Sequence, residues 1–257
     1  IIVMEFAAGM LLVAENPSAS LNKISEIYDR IAFAGAGKYS EFENLRKAGI
    51  RYADLKGYAY GREDVTAKSL ANAYSQMIGN IFSEAMKPLE VEILVVEVAE
   101  EGLPSELYRI AFDGSIGDEK GFAAIGGQAE ELRLYLKDKY EDGLDQTGAV
   151  RLATRALEAA TSAKVKPENL EVAILERGRT GRTFRRLSQE DLKAILSDSD
   201  CAAITERVSE HKTTARAWRK TPELDFDDAL EVITNLLATV TALRRVVSVV
   251  QRECTVV

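Results

Sequence analysis

Apolar runs too short to be helices open this chain, and two pairs of helical segments interrupt the later runs of the same kind. Residues 1–6 and 10–14 are β-branched and apolar, joined by Ala7-Ala8-Gly9, a tight hairpin signal. Asn16-Pro17-Ser18 closes the second run. Residues 23–27 and 31–34 read as two more strands before Gly35 and Gly37 break the pattern. Helical spacing follows over residues 39–56, carried by Phe42, Leu45, Ile50 and Leu55 despite Gly49. A second helix, capped by Asp64 or Thr66, runs to Met86 with Leu70, Tyr74, Met77, Ile78 and Ile81 as its buried stripe, and Pro88 ends it. Residues 91–98 form a nearly continuous apolar run, as in a strand covered on both faces. Residues 106–112 alternate and end in the turn signal Asp113-Gly114. A strand over 121–127 enters a helix over 129–140. A helix over 147–162, strands over 170–176 and 183–187 and a terminal helix over 189–196 complete the pattern.

Strands, two helices, strands, two helices, strands is an order that two antiparallel sheets packed face to face satisfy, with the helices outside. The expected fold class is α/β (α+β), a four-layer α/β/β/α sandwich over residues 1–200. Beyond residue 200 the character changes. Residues 201–257 carry no clear strand, the only histidine (His211), the only tryptophan (Trp218) and both cysteines, Cys201 and Cys254. Ile233, Leu236, Val240, Leu243, Val247 and Val250 there follow heptad spacing, as in a coiled coil or a helix docked on an apolar groove. This segment reads as a helical appendage of unknown role.

The net charge of −8 argues against a nucleic-acid-binding face, which needs clustered Lys and Arg. Two cysteines fit a reducing compartment and are too few for a metal cluster; no metal or other cofactor is expected. Glu5 and the lack of a basic n-region argue against a signal peptide. No window reaches the about eighteen uncharged apolar residues that a membrane helix needs. A cytoplasmic protein is expected. Ile1 is not an initiator methionine, so the chain is expected to be processed or to begin partway into a longer sequence.

Several stretches taken together resemble the α subunits of the actinobacterial 20S proteasome, a family with the Ntn-hydrolase fold. They are Val13-Ala-Glu-Asn-Pro-Ser18, Leu21-Asn-Lys-Ile-Ser-Glu-Ile-Tyr-Asp-Arg30, Gly37-Lys-Tyr-Ser-Glu-Phe-Glu-Asn-Leu-Arg46, Gly57-Tyr-Ala-Tyr-Gly-Arg-Glu-Asp-Val-Thr66, Leu107-Tyr-Arg-Ile110 and Asp113-Gly-Ser-Ile116. The resemblance covers roughly residues 1–196, and the segment from Cys201 onward has no counterpart in it. It implies an Ntn-hydrolase sandwich, in agreement with the element order above.

In that family the β subunits are N-terminal threonine peptidases, whose first residue is the nucleophile and whose own amino group is the base. A lysine at the head of a later strand and an acidic partner complete the site. By the resemblance Lys23 stands at the lysine position and Glu15 roughly at that of the acid, a structural ion-pair candidate; the threonine would fall just upstream of Ile1. The serine expected at the turn into the third helix is replaced by Gln128, in Gly126-Gly127-Gln128. The aspartate expected over residues 161–169 is absent, their only acidic residue being Glu168. The resemblance therefore implies a non-catalytic α subunit with no catalytic residues of its own. Its expected partners are neighbouring α subunits in a heptameric ring, catalytic β subunits, an AAA ATPase ring activator and unfolded, ubiquitin-like-tagged protein substrates. The alternative is an active β-like peptidase whose N-terminus lies outside the sequence.

For α subunits the resemblance implies that the corresponding lysine receives the C-terminal carboxylate of an activator tail. Lys23 would supply the charge, with backbone N–H groups around Gly37 and Lys38 at the start of the following helix. Alternatively, Lys23 is a solvated lysine and the glycines are turn residues. Tyr28-Asp29-Arg30 is expected to make packing and inter-subunit contacts. The family's gating helix and tail are expected upstream of Ile1.

Overall fold

Ile2–Phe6 (β1) and Gly9–Glu15 (β2) form the opening hairpin, with Phe6 opposite Gly9 and Ala7-Ala8 as the two-residue turn. In the computed structural model, residues 1–18, 20–100 and 102–197 are described. The expected appendage over 201–257, with its heptad stripe and both cysteines, lies outside them.

The strands Ile24–Tyr28 (β3) and Ile31–Gly37 (β4) follow, then the helices Tyr39–Ala59 (α1) and Ala67–Glu84 (α2). Val91–Glu97 (β5), Glu106–Ile110 (β6), Ile116–Asp118 (β7) and Phe122–Ala124 (β8) lead to Ala129–Lys139 (α3) and Gln146–Thr161 (α4). Leu170–Glu176 (β9) and Phe184–Arg186 (β10) come last among the described strands, and residues 189–197 are helical. One five-stranded sheet has the order β10-β9-β2-β1-β8 and the other the order β3-β4-β5-β6-β7, with every pairing antiparallel.

Three apolar layers hold four layers of structure. Val3, Leu12, Ala14, Ile24, Ala34, Leu94 and Ala173 meet between the sheets. Ile2, Met4, Leu11 and Val13 face the other way, onto Leu136, Ala153 and Leu157 of α3 and α4. Phe33 and Ile93 pack on Phe42, Leu45, Leu70 and Tyr74 of α1 and α2. Because side chains alternate across a strand, β2 must be apolar at Leu11, Leu12, Val13 and Ala14 alike to bury both faces, which explains its uninterrupted run. This is the α/β/β/α sandwich of an Ntn-type fold.

Differences from the expected elements are local. α1 runs on to Ala59, and α2 stops at Glu84, because Ala85 is already extended before Pro88 is reached. The strand expected over 121–127 is regular only over Phe122–Ala124. The three-residue edge strand β7 was not anticipated, since Ile116-Gly117-Asp118 is too short for any period. Gly114, with φ +85°, turns the chain into it. A Cβ on Gly114 would sit 2.6 Å from the Ser75 carbonyl oxygen and 2.9 Å from Gly79 Cα, and the Ser75 hydroxyl donates to the Gly114 carbonyl at 2.5 Å. The β6–β7 turn is thereby pressed onto α2. No helix among the described residues is long and apolar enough to cross a membrane.

Candidate functional site

Lys23 stands in the bend just before β3, half-buried, and three contacts hold it. Its carbonyl accepts from the Gly35 N–H at 3.0 Å, fixing it against β4. Its own N–H donates to Glu171 Oε2 at 2.9 Å. Its ammonium donates to the Glu15 carbonyl at 2.8 Å. Among the described residues Lys23 forms no ion pair, so its charge is solvated by a main-chain dipole and met by no carboxylate.

This corrects the expectation for Glu15. It is the last residue of β2, where its main-chain oxygen turns toward Lys23, and it contributes that carbonyl while its carboxylate makes no ion pair among the described residues.

Gly37 ends β4 with φ +105°, a conformation open to glycine, and a Cβ there would collide with the Glu90 carbonyl. In β4 the N–H of Gly35 points toward β3, and that of Gly37, two residues on, follows the same direction past the head of β3. Lys38 differs from expectation. Its N–H donates to the Glu90 carbonyl at 2.9 Å, because it continues the β4–β5 ladder by one more pair. Its ammonium pairs with Glu41 at 3.1 Å, and that hydrogen bond holds the Lys38 pKa above its ordinary value. Glu41 in turn accepts from the Glu90 N–H at 2.7 Å, the main reason its carboxyl sits below the usual range. Lys38 therefore seals the corner between β4 and β5 rather than offering a free donor.

Across the mouth of the inter-sheet core, Ile1 and Ala36 form its apolar rim, and Ile1 is linked to β8 through the Ile125 N–H at 3.0 Å. Gly126 follows, its N–H donating to Glu92 Oε2 at 3.3 Å. Glu92 also pairs with Arg109 at 3.1 Å, and Arg109 reaches Glu119 at 3.0 Å. Gln128 heads α3 as its N-cap and sends its amide to the Ala160 carbonyl at 3.0 Å, so the side chain that stands where a serine was expected ties α3 to α4. Glu168 is exposed and 4.0 Å from Lys193, on the surface.

Tyr28-Asp29-Arg30 makes internal contacts. Arg62 grips Asp29 through two bonds, at 2.8 and 2.5 Å, and lies 5.1 Å over the Tyr28 ring. Arg30 reaches Glu97 and Glu100. Tyr28, Asp29, Arg30 and Arg62, with Arg177 and Thr183, line an open groove of about 420 Å³.

Two residues central to the geometry escaped sequence reasoning. Glu171 and Arg186 hold the head of β3 from the other sheet, about 150 positions away along the chain. The one available signal was a carboxylate inside the apolar run Leu170–Glu176, in a strand buried on both faces.

Residues 1–175 match the family described as Proteasome subunit. Proteins named proteasome subunit alpha are among the relatives. That of Actinosynnema mirum is 52% identical over 206 residues, covering 77% of this chain and 78% of its own length. That of Saccharopolyspora erythraea is 49% identical over 208 residues, covering 80% and 81%. That of Streptosporangium roseum is 47% identical over 227 residues, covering 88% and 86%. Relatives that carry the alpha designation do not favour the β-like peptidase alternative.

Proposed function

The chain belongs to the proteasome subunit family, and on that premise we propose that it is a non-catalytic subunit of the α ring of the 20S core particle, whose Lys23 receives an activator's C-terminal carboxylate. Its ring neighbours are further α subunits, heptameric as in the family, and β subunits below supply the hydrolysis. An AAA ATPase ring docks above in the cytoplasm and feeds unfolded, tagged proteins through the pore.

The observation that carries the docking role is the state of Lys23. A half-buried ammonium that rests on a carbonyl and forms no ion pair among the described residues keeps its charge for an incoming anion. The direction of the Gly37 N–H past the head of β3 supports a second donor for the same group. The non-catalytic role draws support from Gln128, whose amide is engaged with α4 where the family's peptidases carry a serine.

The test is Lys23→Ala in the assembled core particle. ATPase-driven degradation of a folded, tagged protein should fall to background, while short-peptide hydrolysis by the β ring persists. Unchanged protein degradation would remove the docking role. Labelling of this chain by a threonine-directed covalent inhibitor would remove the non-catalytic one.

A further inference from the structure

We propose that Glu171, with Arg186 and Asn16, forms a positioning set that aims Lys23 at the carboxylate it receives; the inference rests on the docking role given above. Glu171 belongs to β9 of the first sheet and Lys23 to the head of β3 in the second. The Glu171 side chain is 8% exposed, and each of its oxygens accepts two hydrogen bonds. Oε2 takes the Lys23 N–H at 2.9 Å and Asn16 Nδ2 at 2.8 Å. Oε1 takes the Ile24 N–H at 3.1 Å and Arg186 Nη1 at 2.5 Å. The Arg186 fork then places Nη2 on the Ile24 carbonyl at 2.5 Å, so both main-chain groups of Ile24 are held.

β3 is an edge strand of its sheet, and an edge leaves main-chain donors and acceptors without a strand partner. Here one carboxylate and one guanidinium stand in for that strand at the two residues where Lys23 must be fixed. Asn16 completes the frame. Its amide also donates to the Leu21 carbonyl at 2.6 Å, and its Oδ1 accepts from the Ser18 N–H at 3.1 Å, folding the loop back over the same site.

The electrostatics favour a positioning role over neutralisation. A carboxylate this close to a lysine would ordinarily bind its ammonium and cancel the charge. The Glu171 oxygens are instead taken up by two main-chain N–H groups, an amide and a guanidinium, and Arg186 balances the buried charge. The lysine backbone is gripped by an anion while its ammonium is left to a neutral carbonyl. Positive charge is thus kept at a defined place for an anionic partner.

The experiment uses the assembled core particle. Two short fluorescent peptides copy the C-terminal tail of its ATPase ring, one ending in a free carboxylate and the other in an amide. The wild-type particle should prefer the carboxylate form by about tenfold, the size of one charged hydrogen bond. Lys23→Ala should remove the preference. Glu171→Gln places an NH2 group against two donors, and should also reduce the preference to about twofold while the amide peptide binds as before. If Glu171→Gln keeps the preference, or weakens both peptides equally, the positioning role is overturned while the docking role stands. If Lys23→Ala keeps it, both fall. Should Glu171→Gln fail to assemble, Arg186→Gln, which releases the Ile24 carbonyl, is read in the same assay, and an intact preference there overturns the proposal.

Discussion

One carboxylate oxygen of Glu97 lies 2.6 Å from the N–H of Ala67, so β5 caps the first turn of α2 from the adjacent layer. Burial pushes the Glu97 pKa up, against the Ala67 hydrogen bond and Arg30, which pull it down. A carboxyl raised in the folded state adds stability that is full below its unfolded value, near 4.5, and is lost as pH rises through the folded pKa. Glu97→Gln keeps an acceptor for Ala67 without the charge. The stability difference between variant and wild type, from denaturant melts across that range, should therefore shift in favour of the variant as pH rises. A flat difference would show that the buried charge carries no cost. Glu97→Ala, which leaves the Ala67 N–H without its partner, should cost about 1–3 kcal/mol.

Gly49 lies inside α1, where alanine would ordinarily favour the helix by about 1 kcal/mol. Here a Cβ would overlap the Tyr74 hydroxyl, which donates to the Leu45 carbonyl at 3.0 Å. Gly49→Ala should instead destabilise by about 1–3 kcal/mol. Tyr74→Phe alone should cost about 1 kcal/mol for the lost hydrogen bond. In the double variant the two costs should be less than additive, since removing the hydroxyl relieves part of the overlap. Additive thermal-melt values would place the strain elsewhere.

Two glycines flanking the site should respond very unequally to alanine. At Gly37 a Cβ meets the Glu90 carbonyl and φ is +105°, so Gly37→Ala should cost about 1–3 kcal/mol and disturb the Lys38–Glu90 bond. At Gly127 a Cβ would have nothing within 4 Å, and φ is not positive. Gly127→Ala should change the unfolding free energy by less than about 0.5 kcal/mol. Equal losses would mean that the turn at Gly37 is not the constraint.

Thr66 caps α2 in a reciprocal capping box with Ser69, at 3.2 and 3.4 Å. Thr66→Ala should lower stability by about 1 kcal/mol, and Thr66→Ser by much less. Comparable losses for the two would argue against the hydroxyl as the cap.

Much of the sandwich could be read from the chain because its strands are buried on both faces and its helices on one, so apolar runs and helical stripes are easily told apart. Leu170–Glu176 emerges with the bounds its residues suggest. β7 did not, being three residues paired at the sheet edge to β6, too short to show any pattern of its own. Lys23 and Gly37, on which the proposed docking site is built, lie near each other in the chain, so their pairing could be suggested from the sequence. Lys38 and Glu15 took other roles because strand register decides which main-chain groups are free, and register involves Glu90 and β9 as well. Glu171 and Arg186 were hidden for the same reason. Their value lies in reaching Lys23 and Ile24 across two sheets, a relation that no local spacing encodes.

The Gly114 turn pressed onto Ser75 and Gly79 acts as a mechanical stop. A side chain at Gly114 would meet the Ser75 carbonyl and Gly79, so the close approach of α2 to the β6–β7 corner depends on bare backbone there. The corner is thus a spacer of zero side-chain thickness, and any residue larger than glycine at position 114 would have to push the sheet and the helix apart.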